Sequence, residues 1–451
     1  MVHVKRSVFF LALLLVLVVL LLVYSVTRAS TGRQKLHLMV YFLREMDPPN
    51  SSEEVSLVDP VLLESSPQAV PPCRYVLALS YWEKMTQGVT NLLSLLRFAR
   101  LWKARVVIPF VRKSSLFGLP LGQEDFWNFH DNKTLVDQEL PLDLLFQLDD
   151  FKGNPQKNSR YAPMIDYGDF IKELDLQKGE EELQIFYVKI VYAQQNWISH
   201  PGTIDCSTLM KINKHWTDPN FPGVNVACCK INGALPTLPE NISSLCGFKS
   251  MSSYVVIFEV WQGITRPNPD RYFRMFVPSE FFRNDTAISP VLPHSQYVIG
   301  NATEFIKHTT GTDVEYIGVH IRTEKLAINS KHIDDKKCIT SAIEESKKLS
   351  VEYNISHTLY FTDGLPYNNK LRPFYRSYVR LMTARGVKRS VYDPLLFNGV
   401  DNSAFIAQVE MQVMSRATRL VVCGGGSFQY VIIQRFSKRN SNPIVRIEGC
   451  S

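Results

Sequence analysis

From about residue 300 onward, short apolar runs alternate with helical stretches, and this rhythm restricts the fold more than any other feature of the chain. The strand candidates are Tyr316–Ile321, Thr358–Phe361, Ser390–Tyr392 and Leu420–Cys423. Helical patterns lie between them at about 333–350, 370–385 and 403–417. In the last of these Ser403 is placed as the N-cap, with Phe405, Ile406, Val409 and Val413 on one face. Strands alternating with helices pair in parallel and predict a doubly wound α/β domain. The same pattern opens the body of the chain, with a strand at Tyr75–Leu79, a helix at Asn91–Ala104 and a strand at Arg105–Phe110. Between 111 and 300 the pattern is less regular, with strands expected at Ile185–Val191 and Tyr254–Val260. The expected fold class is therefore α/β, with domains at 71–300 and 301–451 facing one another across a cleft.

The N-terminus carries a different signal. Ser7 to Thr27 is free of charge and almost wholly Leu, Val, Phe and Ala from Val8 to Val23. Such a run spans roughly the 30 Å of a bilayer's hydrocarbon core, whereas a cleaved signal peptide has an apolar region of only ~7–15 residues. The expected arrangement is a cytoplasmic tail at 1–6, a transmembrane signal anchor at 7–27 and a stem at 28–70 rich in Pro, Ser and acidic residues. Sequons follow the span at Asn50, Asn132, Asn241, Asn284, Asn301 and Asn354, which points to a lumenal body. All 8 cysteines also follow it, an even number that fits disulfides in an oxidising compartment. Lys+Arg 50 against Asp+Glu 43 gives a net charge of +7 without a long basic block, so the chain lacks a nucleic-acid footprint.

Three segments stand at the C-terminal ends of predicted strands, where open α/β sheets bind ligands. In Gly318–Lys325, Arg322 leaves an apolar strand two residues after His320 with Lys325 following, and a guanidinium there can grip a phosphate with two hydrogen bonds. In Phe361–Gly364, Asp363 ends a strand in a turn and can accept hydrogen bonds from a ligand. In Cys423–Gln429, a triple glycine lets the backbone approach a ligand just before a helix whose first amides favour anions. This last segment has neither the Lys of a P-loop nor the spacing of the dinucleotide fingerprint.

Taken in order, these segments resemble the GDP-fucose fucosyltransferase superfamily, in particular its protein O-fucosyltransferase and α1,6-fucosyltransferase branch. The resemblance rests on Gly88–Leu93 with the following helix and Val106–Pro109, on His320-Ile-Arg322 with Glu324, on Tyr360–Asp363, and on Asp401 through Phe428. It implies a GT-B architecture of two Rossmann-like domains, with the sugar nucleotide held mainly by the C-terminal one. It also implies inversion at the sugar and no metal cofactor, in keeping with the lack of an Asp-x-Asp triplet. On this resemblance Arg322 binds the β-phosphate and stabilises the leaving group. Gly88, Asn91, His320, Glu324, Lys325, Asp363, Asp401, Ser427 and Phe428 complete the GDP-fucose site, and Glu83 is the candidate base. The α1,6 enzymes carry two adjacent arginines where this chain has Arg322-Thr323, which argues against that reaction.

The expected protein is thus a single-pass type II enzyme of the Golgi membrane, or of the endoplasmic reticulum, that moves fucose from GDP-fucose to a hydroxyl of a glycoprotein or glycan. The rivals are a catalytically silent glycan- or nucleotide-binding relative and a transferase for another GDP-sugar.

Overall fold

The computed structural model describes residues 74–81, 84–112, 114–119, 139–152, 161–176, 183–191, 202–203, 224–232, 253–261, 291–312, 314–363 and 371–450. The apolar run 7–27, the stem, Glu83 and the sequons at Asn50, Asn132, Asn241 and Asn284 lie outside them. Among the described residues no helix is long and apolar enough to cross a membrane.

The described residues form a mixed α/β fold with two sheets. The first takes β1 (Arg74–Tyr81), β2 (Arg105–Val107), β3 (Phe110–Arg112), β4 (Ser115–Phe117), β5 (Leu140–Pro141), β6 (Met164–Ile165), β7 (Leu183–Val191), β8 (Gly202–Thr203), β9 (Val224–Asn232) and β10 (Ser253–Trp261). Its parallel part runs β6-β2-β1-β10-β7-β9, and β3, β4, β5 and β8 join antiparallel. The single strand expected over Arg105–Phe110 is divided. Pro109 has no amide hydrogen to continue the ladder, so β2 stays with β1 while β3 turns away to pair with β4 and β5. Helix α1 (Met85–Leu101) covers one face of β1 through Leu92, Leu95, Leu96 and Phe98, and α2 (Tyr167–Leu176) covers the other through Phe170.

The second sheet is wholly parallel, in the order β12 (His357–Thr362), β11 (Tyr316–Ile321), β13 (Arg419–Cys423), β14 (Ile444–Arg446). Side chains alternate along β11. Ile317, Val319 and Ile321 pack with α5 (Asp335–Glu352), reached through the short helix α4 (Thr323–Asn329), and α6 (Arg372–Ala384) completes that layer. Tyr316, by contrast, joins the cluster of α3 (Gln296–Thr310), α7 (Ser403–Ser415) and α8 (Ser427–Arg439) on the opposite face. Helices on both faces of a parallel sheet are the doubly wound arrangement.

Three expectations are corrected in this half. Ser390–Tyr392 is not a strand. Tyr392 turns inward against Phe305 and Phe397, its hydroxyl bonds Asn301 Oδ1 at 2.6 Å, and Asp393-Pro394 then ends the extended run. The fourth strand is instead β14, after the last helix. The N-cap of α7 is Asn402 rather than Ser403, because the buried Asn402 Oδ1 accepts from the amides of Ala404 (2.8 Å) and Phe405 (3.4 Å).

The halves are bound closely. Residues 70–451 form one compact unit, and one hydrophobic cluster runs from β1 and α1 through α8 and α7 to the second sheet. The segment before α3 is pinned to the first half by Gln147 N donating to Pro293 O and Ser295 N to Leu145 O. His294 is held between Gln408 and Gln412 of α7, at 3.0 and 2.8 Å. Helix α3 begins at Gln296, so it runs through position 300, where the sequence pattern places the domain boundary.

Cys338, in the first turn of α5, forms a disulfide with Cys450, and Cys228 and Cys229 are also disulfide-bonded. Cys423 is a buried free thiol, so the even count of cysteines does not resolve wholly into pairs within the chain. Its sulfur and those of Cys338 and Cys450 lie within 4.8 Å of one another.

Candidate functional site

Strand order in the second sheet reverses at β11, whose first crossover goes to β12 and whose other neighbour is β13. The carboxyl ends of these strands carry Arg322, Asp363 and the turn Gly424–Gly426. The three segments singled out by sequence therefore meet at the topological switch point, where such sheets bind ligands.

The local backbone explains why the turn is glycine. Arg322 donates its amide to Cys423 O at 2.8 Å, tying the end of β11 to the end of β13. A Cβ on Gly424 would lie 2.9 Å from both Cβ and O of Arg322, and one on Gly426 would lie 1.6 Å from Arg322 Nη1. Both glycines also have φ near +100°, which side chains disfavour. The turn is thus shaped around the arginine. Nη1 donates to Gly425 O at 3.1 Å, and Nε stands 4.0 Å from Asp363 Oδ2. The guanidinium's other donors have no partner among the described residues, and the side chain is 19% exposed. Immediately beyond the turn, α8 starts with no side-chain cap, so its first amides and its positive dipole end stand beside the arginine.

Asp363 is the counterweight. Its Oδ2 accepts from Glu324 N at 3.2 Å, and Oδ1 lies 3.6 Å from His320 Nε2. Burial pushes its carboxyl up to about 7, against the pull of Arg322 and the Glu324 amide. His320 is buried, and burial together with the Arg322 charge lowers it to about 3, so the ring is neutral at physiological pH. Its ring packs 5.3 Å from that of Phe428. Glu410 of α7 was not among the sequence candidates. Burial raises it to about 7 as well, with Asp363 adding to the rise and the Tyr392 amide and Arg389 opposing it. A sequence signal for it existed, since Gln408, Glu410 and Gln412 interrupt an otherwise apolar helix.

No known protein family and no curated protein matches the sequence. Among solved structures, the chain is similar to POFUT1 in its apo form, at 13% identity over 84% of this chain and 99% of that one, with a TM-score of 0.46. It is similar to POFUT1 in complex with GDP-fucose at 12% identity over 83% and 98%, with a TM-score of 0.45. A mutant of Arabidopsis thaliana FUT1 in complex with GDP is 13% identical over 82% and 70%, with a TM-score of 0.32. Likeness at this level assigns no role to any residue, and the chemistry has to come from the side chains themselves.

His320, Arg322, Asp363 and Phe428 are brought together, with Glu324 contributing its amide and Ser427 the first residue of α8. Lys325 is half-buried on α4 without an ion pair among the described residues. Asp401 is exposed, one residue before the α7 cap, and makes no hydrogen bond or ion pair among them. Gly88 and Asn91 do not form a loop. Helix α1 starts at Met85, Gly88 donates its amide to Lys84 O at 2.8 Å, and a Cβ there would touch Leu116 at 3.4 Å. Asn91 is wholly buried in the same helix, which packs against α8. The sequence pattern began the helix at Asn91, too late by six residues, because Gly88 carries weak helix propensity, which tertiary packing overrides here. Asn301 is also corrected as a glycan site. It is buried, with its amide donating to Tyr297 O and its oxygen accepting from Tyr392, whereas Asn354 is exposed on a turn.

Proposed function

We propose that the chain is an inverting glycosyltransferase of GT-B type that transfers fucose from GDP-fucose to a hydroxyl of a glycoprotein or glycan. The observation that carries this is Arg322, held by a glycine turn at the switch point with unspent donors beside an uncapped helix start. That arrangement suits a diphosphate, and the ordered motifs shared with the GDP-fucose fucosyltransferases select the nucleotide and sugar. As the acceptor oxygen attacks the anomeric carbon and the bond to the β-phosphate oxygen breaks, negative charge grows on the departing GDP. Arg322 and the α8 amides are already oriented to take it, and one such preorganised donor is worth roughly 3–4 kcal/mol in the transition state. On this reading the charge is met by protein groups, with no metal, and the acceptor's proton goes to a base for which Glu83 is the candidate. The apolar run at 7–27 and the exposed sequon at Asn354 support a lumenal, membrane-anchored enzyme of the Golgi.

The test is calorimetric titration of the full chain in mild detergent with GDP-fucose, GDP-mannose, GDP and UDP-GlcNAc. Binding of GDP and GDP-fucose that disappears in Arg322→Ala supports the donor site. A folded chain that binds no GDP ligand sinks the proposal.

A further inference from the structure

Gln429, the third residue of α8, closes the glycine-rich segment without any role read from the sequence, yet it is 3% exposed and sits behind the switch point. Its side-chain nitrogen lies 2.6 Å from Cys423 O, 3.2 Å from His320 O and 2.9 Å from His320 Nδ1. The two backbone oxygens only accept hydrogen bonds, so the amide must turn its NH2 end, not its oxygen, towards them. That orientation settles the histidine. An NH2 group offers no lone pair to the ring, so Nδ1 has to be the accepting nitrogen. In a neutral imidazole the proton then belongs to Nε2, which faces Asp363 Oδ1 at 3.6 Å.

We propose that Gln429 is a positioning residue that fixes His320 as the Nε2–H tautomer and clamps the ends of β11 and β13 on either side of Arg322. The consequence runs through Asp363. A proton on Nε2 presents a positive edge to the Asp363 carboxylate, while the opposite tautomer would present a lone pair to it. Asp363 in turn stands by Arg322 Nε and receives the Glu324 amide. One buried amide therefore sets the polarity of the ring, the ring sets the orientation of the acid, and the acid braces the guanidinium. The clamp is independent of the ring, because Cys423 O also receives the Arg322 amide. Losing Gln429 would thus loosen both sides of the turn.

The link to ligand binding rests on the GDP-fucose reading; the tautomer does not. The experiment therefore starts without ligand. The full chain is labelled with 15N-histidine, and long-range 15N–1H correlations are recorded at neutral pH, with His320→Gln identifying the resonance. His320 is expected as the Nε2–H form in the unaltered protein. In Gln429→Met, similar in size and without hydrogen bonds, the ring should become a mixture of tautomers. Finding Nδ1–H in the unaltered protein overturns the proposal, and so does a single Nε2–H form in Gln429→Met. If Gln429→Met does not fold, Gln429→Leu takes its place with the same two outcomes. GDP titration supplies the second readout, with affinity expected to fall about tenfold in Gln429→Met, the effect of one lost hydrogen bond. Unchanged GDP affinity in a variant whose tautomers have become mixed refutes the positioning role. A chain that binds no GDP at all would remove the donor reading and leave the tautomer result standing.

Discussion

Replacing Gly426 by alanine would put a methyl carbon 1.6 Å from Arg322 Nη1 and 2.7 Å from its Cζ. The far end of an arginine is flexible, so the guanidinium should swing away rather than the backbone break. Two costs follow. Gly426 has φ 100° and ψ 174°, a region almost reserved for glycine, and a side chain there costs about 1–3 kcal/mol. The swing also forfeits the bond from Nη1 to Gly425 O, a charged-donor hydrogen bond worth about 1.5–3 kcal/mol. Gly311 supplies the control. Its φ of 100° and ψ of 176° match, but its Cβ would meet only Val314 Cγ2, at 3.2 Å. Urea unfolding should show Gly311→Ala losing the backbone term alone and Gly426→Ala losing both. GDP calorimetry should show affinity unchanged in Gly311→Ala and weakened at least about tenfold in Gly426→Ala. Equal stability losses together with unaltered GDP affinity in both variants would refute the view that the turn fixes the guanidinium.

Three other outcomes are expected. Arg322→Ala should lower transferase turnover by a factor of about a hundred or more while the chain still folds, its melt lowered only by the lost bond from Nη1 to Gly425 O, as measured by donor-consumption assay and calorimetric melts. Burial raises Asp363 and Glu410 to about 7 in the folded chain, against 3.8 and 4.5 for the same groups free in water, so the folded state holds more protons between about pH 4 and 7. Stability should therefore fall as pH rises through that window, and Asp363→Asn should flatten the slope in melts taken from pH 5 to 8. Expressed in a secretory host, the chain should lose one glycan in Asn354→Gln and none in Asn301→Gln, read as a mass shift after glycosidase treatment.

The parts of the site legible in the sequence are those whose chemistry is written into the strand ends. Arg322 was visible because it leaves an apolar strand as a cation, and the triple glycine because it lets the backbone of a strand-to-helix turn approach a ligand. The strands of the second sheet were legible for a similar reason, since strands buried on both faces read as continuous apolar runs. What escaped depends on contacts between distant residues. Gln429 looks like any polar helix residue until β11 and β13 place two carbonyls against it. Tyr392 carries a strand-like pattern, but Phe305 and Asn301 of α3 capture its ring and hydroxyl. Gly88 suggests a loop by composition, but its amide closes the first turn of α1 on Lys84 O, and a Cβ there would make only ordinary contact with Leu116.

The grouping of Cys338, Cys423 and Cys450 bears on how the chain can be recovered from a reduced, unfolded state. With the three sulfurs so close in the folded geometry, proximity alone does not choose among the three possible pairs during oxidation. In the folded chain Cys338 takes Cys450, Cys423 keeps its thiol, and the Cys423 carbonyl receives the Arg322 amide and the Gln429 side chain. Once the native bond is made, burial raises the Cys423 thiol to about 12, and so little thiolate remains that reshuffling nearly stops. Oxidative refolding should consequently pass through forms misbridged at Cys423, and Cys423→Ser should raise the competent yield by leaving Cys338 and Cys450 as the one pair among these three positions.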